Sequence, residues 1–406
     1  MYVQVPLHEA TAAGKAGSKD GWTGIILDAP ESESTEFQNS LANLRSAYPK
    51  LTFQVLNRNG KQPDMRGSLV IKKDSVLEVS SPTAQPWIDS NLAFIKSQRA
   101  AQPKQIPLYT FSWDLSDAHQ QKTLTAIDYS LAVAEAGAFH ADLLLQLDPQ
   151  LQQSLGNHDA SAWALWNHVR DVTKFYSGGK DNEPWLEAAA NVGLIVDQLD
   201  PGDEVSNLLA RHNVPFQVFL EADLSAADLE PFNLFVVFAK PNAAIEKRIA
   251  ALASSGKTVV LVDAHGSYPW QSTQPEQINE HTVSYAVGNG KVLELSEPVS
   301  DPETFAQDIR RLVGKRDALL SLWNGLTTIA VPYKDREGIL KEIEFVNYAA
   351  EPLRVQVQVK GSFTSIRYES SEHQCCESLP PVKHDGFTEF VIPDLRLAGR
   401  VHLGMQ

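Results

Sequence analysis

The chain has 406 residues, 43% of them hydrophobic and 21% charged, the balance of a globular protein long enough for two or three domains. A net charge of −15 argues against nucleic acid and anionic membrane surfaces as partners. No run of about eighteen apolar residues is present to span a membrane.

Residues 1–180 alternate short apolar runs with helical stretches. Gly24–Asp28 reads as a buried strand ending in an acidic turn, and Glu36–Tyr48 has helical spacing. Further strands follow at Phe53–Asn57, Ser75–Val79, Ile106–Phe111 and Leu143–Leu147, with Tyr2–Pro6 a candidate strand ahead of them and helices at Pro86–Arg99 and His119–Ala136. Continuous apolar strands separated by helices predict a parallel sheet covered on both faces, here the later strands of a (β/α) barrel. Met1–Lys19 lacks a basic region followed by an apolar stretch, so no signal peptide is visible and a cytoplasmic location is the default.

From about Pro184 the strands are Val192–Val196, Phe216–Phe219, Leu234–Phe238, Val259–Val262 and Val292–Leu295. Helices at Glu204–His212 and Ala243–Ser254 lie between them, and Asp301 with Pro302 opens a closing helix. This is a doubly wound sheet of the flavodoxin type. Gly288-Asn289-Gly290 is a hairpin signal rather than a nucleotide loop. Trp163 and Trp166 suit a core or an interface. The last ninety or so residues change period: Leu353–Lys360 alternates without a break, and Phe363–Glu369, Phe387–Ile392 and Arg400–Leu403 complete a small β-sandwich. The adjacent Cys375 and Cys376 support neither a disulfide framework nor a zinc site. In a strand they would face opposite ways as two unpaired thiols.

Function in such a barrel gathers at the carboxyl ends of its strands. Those ends carry Asp28, then Asn57 and Arg58, then Glu78, then Trp113 and Asp114, with Asp148 after the fifth strand. Two carboxyl groups, one protonated and one ionised, are what glycoside hydrolysis requires. Trp113 offers a platform for a sugar face, and Asn57 and Arg58 can bind hydroxyls or hold a carboxylate ionised. Each residue also has a structural explanation: an Asp after a strand is often a helix cap, and Glu78 could be a salt-bridged strand residue. No Walker loop, HExxH or CxxC is present, and neither a cofactor nor a metal is expected.

Gly21-Trp22-Thr23-Gly24-Ile25-Ile26-Leu27-Asp28 resembles a strand of the endo-α-1,4-polygalactosaminidase-type glycosidase barrels. Leu56-Asn57-Arg58-Asn59 and Val76-Leu77-Glu78 resemble that family's Asn-bearing and Glu-bearing strands. The resemblance covers roughly residues 20–150 and implies Asp28 as nucleophile or base and Glu78 as general acid; Asp114, from its place at a strand end alone, is a third catalytic candidate. The middle segment resembles the glutamine-amidotransferase-like domain of family 42 β-galactosidases, which there mediates oligomerisation. An amidotransferase nucleophile is missing: Phe238-Ala239-Lys240-Pro241 stands where a cysteine would be needed. Asp263-Ala264-His265-Gly266-Ser267 reads as a loop with capping residues.

The expected organisation is therefore a TIM-type (β/α) barrel, whole or partial, over 1–180, an amidotransferase-like α/β unit over 181–316 and a β-sandwich over 317–406. Counting Leu143–Leu147 as the last barrel strand puts Asp28 on the fourth strand and Glu78 on the sixth. The first two or three strands would then be missing, leaving an open edge that a homo-oligomer, a dimer or trimer, could cover. The expected activity is retaining hydrolysis of galactosyl-type or related oligosaccharides. The alternative is a non-catalytic carbohydrate-binding or assembly protein on a degenerate barrel.

Overall fold

The computed structural model describes residues 1–28, 34–55, 64–66, 72–73, 76–77, 88, 90–112, 124–145, 147–177, 186–198, 204–224, 227–349, 351–373 and 375–405. The first sheet holds six parallel strands: β1 (Tyr2–Pro6), β2 (Gly24–Asp28), β3 (Thr52–Val55), β4 (Asp64–Arg66), β5 (Leu108–Ser112) and β6 (Asp142–Leu145). Their order is β3-β2-β1-β6-β5-β4, the cyclic order of a (β/α) barrel, interrupted among the described residues between β3 and β4. The sheet is curled, a TIM-type barrel in part. Tyr2, Ile26 and Leu144 meet on one face, while Val3, Ile25, Leu27 and Leu143 face the helices.

Helices α1 (Ala10–Asp20), α2 (Thr35–Ala47), α3 (Leu92–Ala101), α4 (Ala126–Ala138), α5 (Pro149–Gly156) and α6 (Ala160–Ser177) accompany this sheet. Two glycines of the Gly21–Asp28 motif have structural causes. Gly21 ends α1 in the left-handed region at φ 75°. A Cβ on Gly24 would lie 2.1 Å from the Thr52 carbonyl oxygen and 2.7 Å from the Tyr2 ring. Trp166 is buried on α6, edge-on to Trp22 with ring centres 6.0 Å apart, as core packing requires.

Two expectations about the barrel change. Tyr2–Pro6 pairs with both β2 and β6 (Tyr2↔Gly24, Tyr2↔Leu144), so Asp28 ends the second described strand, and among the described residues the gap lies between β3 and β4 instead of before β2. Val76–Leu77 pairs antiparallel with Lys72–Lys73 in a separate two-stranded ladder, not in the curled sheet. A short apolar run cannot by itself reveal which ladder it joins.

After the short strand β7 (Glu187–Ala188), the second sheet contains β8 (Val192–Val196), β9 (Phe216–Leu220), β10 (Leu234–Val237), β11 (Thr258–Leu261), β12 (Pro275–Asn279), β13 (Thr282–Val287) and β14 (Gly290–Leu295). The order is β9-β8-β10-β11-β14-β13-β12, parallel through β14 and antiparallel beyond it. The parallel part is the flavodoxin-like arrangement. Helices α7 (Glu204–Arg211), α8 (Ala243–Ser254) and α9 (Pro302–Asp317) belong to this unit, with Asp301 capping α9 through the Thr304 amide. Val287↔Gly290 closes the expected hairpin.

The sandwich comprises β15 (Leu320–Trp323), β16 (Thr328–Lys334), β17 (Leu340–Asn347), β18 (Leu353–Lys360), β19 (Ser365–Ser370), β20 (Glu377–Leu379), β21 (Val382–His384), β22 (Phe387–Leu395) and β23 (Ala398–Gly404). One sheet runs β15-β18-β22-β21 and the other β20-β19-β23-β17-β16-β7, so β7 joins the sandwich although the doubly wound strands follow it in sequence. Cys375 and Cys376 are paired in a disulfide in the bend before β20, not left as two thiols. The opposite-face argument fails because neither cysteine is in a strand.

Candidate active site

Parallel pairing puts all six carboxyl ends of the first sheet at one edge: Pro6 is level with Asp28, and Arg66 with Ser112. This edge is where a barrel of this type assembles its chemistry. The backbone of Asp28 ends β2 there. Asn57, Arg58, Glu78, Trp113 and Asp114 lie outside the described residues. In sequence, Asn57 and Arg58 follow β3, and Trp113 and Asp114 follow β5 directly.

Asp148, the acid after β6, is a helix cap. Its Oδ1 accepts from the Gln150 and Leu151 amides at 2.9 and 3.2 Å, and Pro149 occupies the first helical position. Sequence reasoning missed Glu9. It lies in the turn after β1, and Gln152 on α5 donates through Nε2 to its Oε2 at 3.1 Å. His8 Nε2 is 3.7 Å from its other oxygen. Glu9 is thus a half-exposed carboxylate between the carboxyl ends of the first and last strands. The signal was available: Pro6-Leu7-His8-Glu9 follows an apolar run as Asp28 does.

At the opposite edge the polar contacts are structural. Thr23 donates to Asp142 at 3.2 Å, across the start of β1, which lies between their two strands. Burial drives the Asp20 carboxyl above its ordinary range, with Arg170 and Lys174 opposing. In the second unit, Asp263 and His265 form an exposed pair 2.8 Å apart in the loop after β11, as expected of a loop. A buried ion cluster joins Glu303 on α9 to Arg211 and to His212 Nε2, the latter at 2.8 Å. Burial pushes the His212 imidazole below its ordinary value against the pull of Glu303. A narrow cleft lined by Leu92, Lys96, Ala210, Phe216 and Ala330 lies where the three units meet, away from the strand mouths.

The fold and this mouth define an α/β protein on a TIM-type barrel, continued by a doubly wound sheet and a β-sandwich. No family model matches the chain, and no curated protein matches it in sequence. Among solved structures it is similar to α-L-fucosidase isoenzyme 2 from Paenibacillus thiaminolyticus, at 13% identity and TM-score 0.54, over 98% of this chain and 79% of that one. It is also similar to a GH42 β-galactosidase from G. stearothermophilus, studied as a catalytic mutant, at 10% identity and TM-score 0.50. That match covers 91% of this chain and 66% of the galactosidase, just under two thirds. At these identities the likeness is one of fold.

Proposed function

We propose that the protein is a glycoside hydrolase acting on galactosyl-type or related oligosaccharides by two-carboxylate, retaining catalysis. The observation that carries this reading is the shared carboxyl edge of the six parallel strands, with Asp28 ending β2. Asp28 serves as nucleophile, Glu78 as general acid and Asp114 as a supporting carboxylate. Asn57 and Arg58 bind hydroxyls and Trp113 stacks on a sugar face. The names of the two similar structures, a fucosidase and a β-galactosidase, support a glycoside as substrate.

The test is a panel of aryl glycosides given to wild type, Asp28→Asn and Glu78→Gln. Each substitution is expected to lower turnover by roughly 10²–10⁴-fold, the range of a lost acid or base. Retaining chemistry further requires the two carboxyl groups to stand about 5–5.5 Å apart in a sugar complex, against about 6.5–9.5 Å for inversion. Activity that survives both substitutions would remove Asp28 and Glu78 from the mechanism.

A second reading is a non-catalytic carbohydrate-binding protein. It is favoured by one observation: Val76–Leu77, which precede Glu78, pair outside the curled sheet. Saturable sugar binding by wild type without turnover of any glycoside would select it.

A further inference from the structure

The outer face of the larger sandwich sheet carries charges that an isolated sandwich would leave in water. Glu342 and Glu344 alternate along β17 on that face, and cross-strand pairing sets them opposite His402 and Arg400 of β23. Ile343 and Phe345, on the other face, fill the sandwich core. The outer face is covered by the first unit. Arg400 lies over the Phe175 ring of α6 at 5.1 Å, and Tyr333 of β16 donates its hydroxyl proton to the Ala138 carbonyl at 2.7 Å. His140, in the turn after α4, stacks on Tyr333 with ring centres 4.0 Å apart.

Docking thus buries Glu342 and Glu344, which are 3% and 0% exposed. Arg400 Nε reaches Glu344 Oε1 at 2.6 Å and Glu342 Oε1 at 3.4 Å, and its Nη1 reaches Glu369 at 3.2 Å. His402 spans Glu342 and Glu369 at 3.5 and 3.1 Å. Among the described residues, these three carboxylates are bridged by Arg400 as their permanent cation, with Arg99 engaged nearby on the His140 carbonyl at 2.8 Å. Glu344 Oε2 is fully buried and meets no N–H or hydroxyl donor; the Glu342 carboxyl, within hydrogen-bond reach of Glu344, can satisfy it only by sharing a proton. A buried acceptor left unsatisfied costs free energy, and a buried carboxylate more so. His140, Glu342 and Glu344 each offer a ligand atom, and the three atoms lie within 4.8 Å of one another.

We propose that His140, Glu342 and Glu344 bind a divalent first-row transition-metal ion that fastens the first unit to the sandwich. One imidazole and two carboxylates suit zinc with water in the fourth position, whereas imidazole disfavours magnesium and calcium. Ligand bonds of about 2.0–2.2 Å at tetrahedral angles set donors roughly 3.3–3.6 Å apart, so a triad whose atoms lie within 4.8 Å of one another closes by at most about 1.5 Å, within reach of side-chain rotation. Glu344 Oε2 gains a cation as its partner, and partial exposure of His140 leaves a path for the ion and its water. A proton between Glu342 and Glu344 is the competing solution, since burial first, and then the Glu342 charge, raise the Glu344 carboxyl well above its usual range.

The experiment is zinc titration of chelator-treated full-length protein by calorimetry, with thermal melting in parallel. Non-reducing buffer keeps Cys375 and Cys376, which stand close to Glu369, out of the titration. The expected result is one zinc per chain and a raised Tm, with magnesium giving no shift. His140 has φ 54°, a conformation that Asn tolerates, so His140→Asn removes the ligand without straining the turn. It should weaken zinc binding by at least about tenfold and abolish the Tm shift. Glu344→Gln should also lose zinc yet melt no lower than the metal-free wild type, which controls for misfolding. Absence of stoichiometric binding, or equal binding by His140→Asn, overturns the proposal in favour of a shared proton or an adventitious surface site.

Discussion

Lys96 sits on α3 where that helix meets the second sheet, its Nζ 5.1 Å from the centre of the Phe216 ring. Burial, with a smaller contribution from the charge of Arg99, lowers its ammonium to about 7 from an ordinary 10.5. Between those values the unfolded chain holds a proton that the folded chain has released, so stability rises with pH across the window. Below it both states are charged, and the cost of the buried charge is felt in full. Lys96→Met keeps the aliphatic stem and removes that cost. It should raise the urea midpoint, and by more at about pH 6 than at about pH 9. An equal gain at both values would show that the lysine keeps an ordinary affinity for its proton.

At the scale of elements, α5 is a helix with no buried residue, so its ends carry unusual weight. Asp148→Ala should cost about 1 kcal/mol of local stability, while Asp148→Asn, an equally good cap, should cost almost none. Amide exchange over 149–156 reads the difference. This element also marks how far the sequence could be read. Asp148 looked like any other acid at a strand mouth, and only the Gln150 and Leu151 amides reveal it as a cap. The doubly wound strands and the sandwich strand Leu353–Lys360 were legible, because continuous burial and strict alternation leave direct traces in residue order. Tyr2–Pro6 was readable as a strand, but not its pairing with both Gly24–Asp28 and Asp142–Leu145, which depends on how the whole sheet curls. The His140, Glu342 and Glu344 triad had no motif to betray it. His140 stands some two hundred residues before the two glutamates and meets them only because the sandwich docks on α4 and α6. Of the mouth itself, the position of Asp28 at a strand end is borne out by the backbone, and its role stays with the proposal above.

Over the whole molecule, the first unit and the sandwich share polar contacts in a buried interface. Glu135 on α4 is fully buried, accepting from the Asn91 amide at 2.8 Å, from Asn91 Nδ2 at 2.6 Å and from the Tyr348 hydroxyl at 2.8 Å. Asn213, in the turn after α7, ties the second unit to β16 by accepting from the Ala330 amide and donating to the Thr328 carbonyl. Such contacts predict that the three units unfold together. Tyr348→Phe leaves Glu135 one donor short and should cost about 1–3 kcal/mol. Calorimetry should show a lower midpoint; a midpoint identical to wild type would mean that the Tyr348 hydroxyl contributes nothing to the joint.

The short strand β7 has a consequence for a chain emerging from the ribosome. Ala188 finds its partner Tyr333 only after about 145 further residues have been made. At synthesis rates of about 5–20 residues per second, that is a wait of roughly 7–30 seconds. Throughout it, the doubly wound sheet, whose parallel strands all lie before residue 296, can form while the strand leading into it remains unzipped. The sandwich is thus completed backwards, by a segment translated before any of its other strands.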